Sequence, residues 1–148
     1  MLRTLAVVVL TGCFYGGGYH TMLSPFPGKR VSLPCLDLSV AMTDDSRAPS
    51  PVIQYSFGNR CTHTTTVDLA SIHAVGFYDD NRTAELTARD PDHELAALPI
   101  DGWWHGTEEI SYQASDGSEP KVVCVDVGRV DSASDGTPQW VCVGGAVQ

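Results

Sequence analysis

From residue 31 onward the apolar side chains of this chain recur at every second position, and no 3.6-residue period with caps takes over. Leu36, Leu38, Val40 and Met42 alternate with Asp37 and Ser39, and Ile53, Tyr55 and Phe57 alternate with Gln54 and Ser56. Successive side chains of an extended strand face opposite sides, so each segment has one face for a core and one for solvent. Val75 and Phe77, then Ile110 and Tyr112, continue the pattern; Lys121 to Val130 with Thr137 to Val143 form its clearest pair. Pro138 has no N–H to donate and so belongs at the start of the last strand, outside its ladder. Turn clusters separate the segments: Asp44-Asp45-Ser46, Asp79-Asp80-Asn81, Asp116-Gly117 and Asp135-Gly136. The stretch Asp92 to Leu98 leaves room for one helical turn or two. The expected fold class is all-β, a small sandwich of about seven short antiparallel strands over residues 31–148.

The N-terminus has a different character. Met1-Leu2-Arg3-Thr4 carries one positive charge, and Leu5 to Leu10 is a short apolar run ending in small residues at Thr11-Gly12-Cys13. This order fits an export signal. Leu10-Thr11-Gly12-Cys13 resembles a lipobox, the tetrapeptide cut by bacterial lipoprotein signal peptidase. The resemblance implies a signal peptide over residues 1–12, a lipidated Cys13 and an outer-membrane address, because position 14 is Phe rather than the retention-associated Asp. Two other readings of these residues stay open: a buried first strand, or ordinary secretion with cleavage near Gly16-Gly17-Gly18. Residues 13–30 have the Gly- and Pro-rich composition of a tether. Phe14, Tyr15, Met22, Leu23 and Phe26 are apolar enough to pack in part on the domain.

Five cysteines in an exported chain leave one odd thiol. Assigning Cys13 to lipid leaves Cys35, Cys61, Cys124 and Cys142, enough for two disulfides in an oxidising compartment. A hairpin centred on Ala133 sets Cys124 opposite Cys142, Val125 opposite Val141 and Val123 opposite Val143. The valines then share one face and the cysteines the other. Cys35 pairs with Cys61 on this reading, joining the start of one strand to the end of the next; the other two connectivities remain open.

In strand number and size the domain resembles an immunoglobulin-like or fibronectin-type sandwich. The immunoglobulin hallmark, a Trp between bridged cysteines, is not met, because Trp103 and Trp104 sit in an apparent loop. Tyr55-Ser56-Phe57-Gly58-Asn59-Arg60-Cys61, leading on to Val67-Asp68-Leu69, is similar to small uncharacterised bacterial lipoproteins, a resemblance that implies no activity.

Charge and composition narrow the partners. With 18 Asp+Glu against 9 Lys+Arg the net charge is −9, which excludes the basic stripe that nucleic acid requires. An acidic domain gains nothing from anionic lipid, so the expected attachment to the membrane is the lipid on Cys13. No apolar run reaches the 18 residues or so of a spanning helix.

Catalytic signatures are sparse. The sequence has no G-x-S-x-G elbow, no glycine-rich phosphate loop and no C-x-x-C. His93-Glu94 begins like a zinc-protease helix, but Ala97 stands where the second histidine would be. The histidines share no ligand spacing, and Asp90-Pro91-Asp92-His93-Glu94 lacks the ligand order of a calcium loop, so neither metal nor cofactor is expected. One segment favours binding: Ile100-Asp101-Gly102-Trp103-Trp104-His105-Gly106. If it is extended, adjacent tryptophans face opposite sides and one of them reaches the surface, where Trp anchors proteins or sugars. The other outcome is that both rings cap the open end of the sandwich. The expectation is therefore a lipid-anchored, non-catalytic envelope module, binding an envelope protein or glycan through Trp103, Trp104 and His105. The alternative is a small envelope hydrolase using the His93/Glu94 acidic loop.

Overall fold

The computed structural model describes residues 28–43 and 51–145. The expected signal peptide, Cys13 and the tether as far as residue 27 lie outside the described residues. Among the described residues there are ten strands: β1 Lys29–Ser32, β2 Leu36–Thr43, β3 Val52–Asn59, β4 Thr65–Val67, β5 His73–Phe77, β6 Thr83–Ala88, β7 Leu98–Ile100, β8 His105–Ala114, β9 Val122–Asp126 and β10 Trp140–Gly144. A 3-10 turn at Leu69–Ser71 and one helical turn, α1 at Pro91–Glu94, complete the described elements. The fold is all-β as expected, with ten strands rather than about seven.

Eight strands run in the order β1-β2-β3-β8-β6-β5-β9-β10, and β4 pairs with β7 in a separate ribbon. Every ladder is antiparallel. The long strand β8 makes the architecture. Its first seven residues pair with β3, from Gly58↔His105 to Val52↔Ser111, and its last three pair with β6. It thereby turns the corner between two layers that face each other. The free edges belong to β1 and β10, which come together across a groove of about 440 Å³ lined by Gly28, Lys29, Met42, Cys142 and Gly144. The sheet thus curls almost into a barrel, with its two edges facing each other across this groove.

The core is the alternation made solid. Leu36, Leu38 and Val40 of β2 and Ile53, Tyr55 and Phe57 of β3 are fully buried, and they meet Ile110, Val123 and Val125 from the other elements. Each such side chain contributes about 1.5–3 kcal/mol by leaving water. Tyr55 and Tyr112 carry hydroxyls into this interior and satisfy each other at 2.8 Å. Burial, with Tyr112 alongside, pushes the Tyr55 phenol well up, and burial pushes Tyr112 up to about 12. Both stay neutral and serve packing.

The terminal hairpin has the expected register: Val125↔Val141, Cys124↔Cys142 and Val123↔Val143. The valines are buried and the cysteines lie on the opposite face. Its strands are shorter than expected, because Asp126 ends the ladder. One carboxylate oxygen accepts the Gly128 and Gln139 N–H groups at 3.0 and 2.7 Å, closing the loop between β9 and β10. Both disulfides form as paired above, Cys35–Cys61 and Cys124–Cys142.

The additional strands have identifiable causes. β1 starts at Lys29, inside the segment read as tether, and takes its place through the pairs Lys29↔Val40 and Val31↔Leu38. β4 and β7 are three residues each, too short to show a period. In β6 the outward positions are Thr83, Glu85 and Thr87, and Leu86 is its one fully buried residue.

Candidate functional site

The segment singled out by its two tryptophans lies between β7 and β8 at one end of the sandwich, next to the loop that follows β3. Its organising residue is Asn59, the last residue of β3, which is completely buried. The Asn59 amide donates to the carbonyls of His63 at 2.8 Å and Ile100 at 2.9 Å, with the Asp101 carbonyl at 3.3 Å. Its side-chain oxygen accepts the Cys61 N–H at 2.8 Å, and its backbone N–H donates to the Trp104 carbonyl, also at 2.8 Å. The Asn59 side chain therefore ties the β3 exit loop to the Ile100–Asp101 end of the tryptophan turn, and its backbone N–H holds the Trp104 end. No apolar side chain could make the side-chain bonds, and an unsatisfied buried amide partner costs about 1–3 kcal/mol.

Further contacts fix the turn. The Trp103 N–H donates to the Cys61 carbonyl at 3.2 Å, and the Trp104 N–H to the Asp101 carbonyl at 3.0 Å. The Asp101 carboxylate accepts the Thr64 hydroxyl at 2.8 Å. Gly102 is required by proximity, since a Cβ there would sit 2.4 Å from the Thr62 carbonyl oxygen. Behind the turn, Gly106 leaves room for Leu98 and Ile100, whose side chains would lie 3.1–3.3 Å from any Cβ at that position. Cys61 itself is held by its bond to Cys35, whose N–H donates to the buried Asp131 carboxylate at 2.8 Å.

On this frame both indoles stand outward. Trp103 is 44% exposed and Trp104 53% exposed, and His105 begins β8 on the surface beside them. Both rings, rather than the one expected of an extended segment, reach the surface, and for a definite reason. Trp103 has φ of +65°, so the backbone turns there and the two-sided alternation of a strand does not apply. Left-handed backbone is costly for a bulky L-residue, and such conformations persist only where the surroundings impose them. Here the Asn59 and Cys61 hydrogen bonds do so.

The other singled-out residues are placed separately. His93 lies on the exposed α1 turn with its Nδ1 3.2 Å from Asp90. Both Glu94 carboxylate oxygens accept backbone N–H groups, one from Asp90 at 3.1 Å and one from Ser111 at 2.9 Å, so this side chain pins α1 to β8. His63 shares a neighbourhood with the Cys35–Cys61 bridge, their ligand atoms lying within 4.8 Å of one another. The two sulfurs are bonded to each other and are not thiolates.

Sequence reasoning passed over Trp140. It is 50% exposed at the start of β10, edge-on to His73 with ring centres 5.7 Å apart. His73 in turn lies 3.3 Å from Glu85. The signal was available: Trp140 is an even-numbered residue in a hairpin whose odd-numbered valines face inward.

No protein-family model and no curated protein matches the sequence. Among solved structures, the chain is similar to the yjhA protein from Bacillus subtilis, with 8% identity and a TM-score of 0.48, over 79% of this chain and 96% of that one.

Proposed function

We propose that this chain is a non-catalytic binding module of the bacterial envelope, with the Trp103–Trp104 turn as its contact surface. The observation that carries the reading is the combination of exposure and constraint at that turn. Two adjacent indoles remain about half in water while buried Asn59, Gly102 and a bridged Cys61 hold their backbone in an unfavourable conformation. Folding stability alone would favour rings turned inward and a glycine at the left-handed position. Trp is the residue whose large rigid surface gives most to recognition when preorganised.

The address follows from the N-terminus and the staples. Two disulfides fit an oxidising compartment. The likeness of Leu10-Thr11-Gly12-Cys13 to a lipobox supports export and a lipid on Cys13, at the outer membrane rather than the inner. Mass spectrometry of the membrane-bound protein tests the anchor: a diacylated Cys13 at a new N-terminus is expected, and an unmodified Cys13 overturns it. The binding role is tested by retention of the full chain on delipidated envelope preparations. Trp103→Ala and Trp104→Ala are expected to lose retention while both disulfides stay formed. Unchanged retention in the double variant refutes the assignment of the site.

A further inference from the structure

The geometry points to an uncharged glycan as the ligand of the tryptophan turn, bound by stacking of pyranose rings on Trp103 and Trp104. This inference rests on the reading of that turn as the contact surface and adds the class of ligand. Three features of the site decide it.

The first is area. At 44% and 53% exposure, the two indoles together offer roughly 200 Å² of aromatic surface. A specific protein interface takes about 800 Å² from each partner, and more than half of that is apolar. The turn falls well short of that, yet it matches the faces of one or two sugar rings.

The second is what surrounds the rings. Thr62, His63, Thr64, Asp101 and His105 are all exposed and polar. A protein hot spot is ringed by further packed contacts that exclude water, whereas these neighbours supply hydroxyl, carboxylate and imidazole groups. A sugar presents apolar C–H faces edged by hydroxyls, so it suits an aromatic island set among hydrogen-bonding groups. The electron-rich ring faces favour contact with those polarised C–H bonds.

The third is charge. Asp101 is anionic, and Arg60, the cation beside Asn59, is already engaged. Its guanidinium donates to the Leu33 carbonyl, and its Nε lies 3.2 Å from Asp37. The chain as a whole carries −9. With Asp101 beside the rings, Arg60 engaged, and the His63 and His105 imidazoles as the other basic groups among the described neighbours, the site favours a neutral or N-acetylated saccharide over a sulfated or uronic polymer.

The test is titration of the full chain with chitohexaose, cellohexaose and laminarihexaose, and with polygalacturonate as the anionic comparator, followed by tryptophan fluorescence and affinity electrophoresis. Saturable binding of at least one neutral hexasaccharide and none of polygalacturonate is expected. Trp103→Ala and Trp104→Ala should each weaken binding at least about ten-fold. Trp103→Tyr, which keeps a flat ring, should retain most of it, and Trp140→Ala should change it less than about two-fold. Hexasaccharide binding that survives the Trp103→Ala/Trp104→Ala double variant overturns the inference. If no hexasaccharide binds but tryptophan-dependent envelope retention persists and is abolished by protease, the glycan class is refuted while the contact surface stands. If retention is also indifferent to the tryptophans, both readings fall.

Discussion

Comparing Trp103→Gly with Trp103→Ala isolates the strain at the centre of the proposed site. Both variants remove the same indole and forfeit the same ring burial, so those losses cancel in the comparison. What remains is the backbone at φ +65°. An L-residue with a Cβ loses about 1–2 kcal/mol there, and glycine loses nothing. Against this, glycine loosens the unfolded chain and costs about 0.4–1 kcal/mol relative to alanine. The difference leaves the Gly variant more stable than the Ala variant by roughly 0.5–1 kcal/mol, a reversal of the usual order. Urea unfolding with the disulfides intact measures it, as a higher midpoint for the Gly variant at unchanged slope. Thermal melts should agree, with the Gly variant melting about 2–4 °C higher. Neither variant should be retained on envelope material. An Ala variant equal to or more stable than the Gly variant would mean that the turn is relaxed with its native residue, and the argument from imposed strain would fail.

Three other outcomes follow from the same contacts. Asn59→Ala should cost about 3 kcal/mol or more, since it orphans the Ile100 and His63 carbonyls and the Cys61 N–H together; Asn59→Asp should cost more at neutral pH, with a carboxylate facing carbonyls, and paired thermal melts would show it. The Cys35–Cys61 and Cys124–Cys142 bridges, which span 26 and 18 residues, should each contribute about 3 kcal/mol on the chain-entropy account. Removing the first should also weaken envelope retention, because the Cys61 carbonyl holds the Trp103 N–H, whereas removing the second should lower stability alone. Asp116 is held down to about 2, first by hydrogen bonds from the Ser118 hydroxyl and N–H and then by Arg82. Its folded value is depressed, so its contribution is present above the unfolded carboxylate range and is lost as pH falls from about 4 toward 2. Asp116→Asn should flatten the stability profile over that interval, and acid titration of the two proteins decides it.

What could be read from the sequence was the apolar face of the longer strands, although Ser39 and Ser56 on the other face are buried as well. The alternation in Leu36 to Met42 and in Ile53 to Phe57 became the pairs Leu38↔Phe57, Val40↔Tyr55 and Met42↔Ile53. The final hairpin could be registered to the residue because a one-residue slip would separate Cys124 from Cys142 and break the Val123↔Val143 and Val125↔Val141 pairs. Strand β8 was only half visible, as Ile110 and Tyr112, because its other core-facing positions include Gly106 and Glu108, which carry no apolar signal. Gly106 is small so that Leu98 and Ile100 of β7 can cross it, a demand set by tertiary packing. The tryptophan turn was found as a segment, but its geometry was not. Asn59 is polar in sequence and gives no sign that it will be the buried tie between two loops. Trp140 lay in a strand correctly paired and was overlooked, although the alternation that buries Val141 and Val143 also turns it outward.

The three tryptophans of the chain are nearly equal in exposure, at 44% for Trp103, 53% for Trp104 and 50% for Trp140. Oxidative footprinting by hydroxyl radicals, read by peptide mass spectrometry with and without envelope material, therefore compares them on level terms. The account predicts that Trp103 and Trp104 are protected while Trp140 is oxidised at an unchanged rate. Protection of Trp140 alone, or of none of the three, would contradict it.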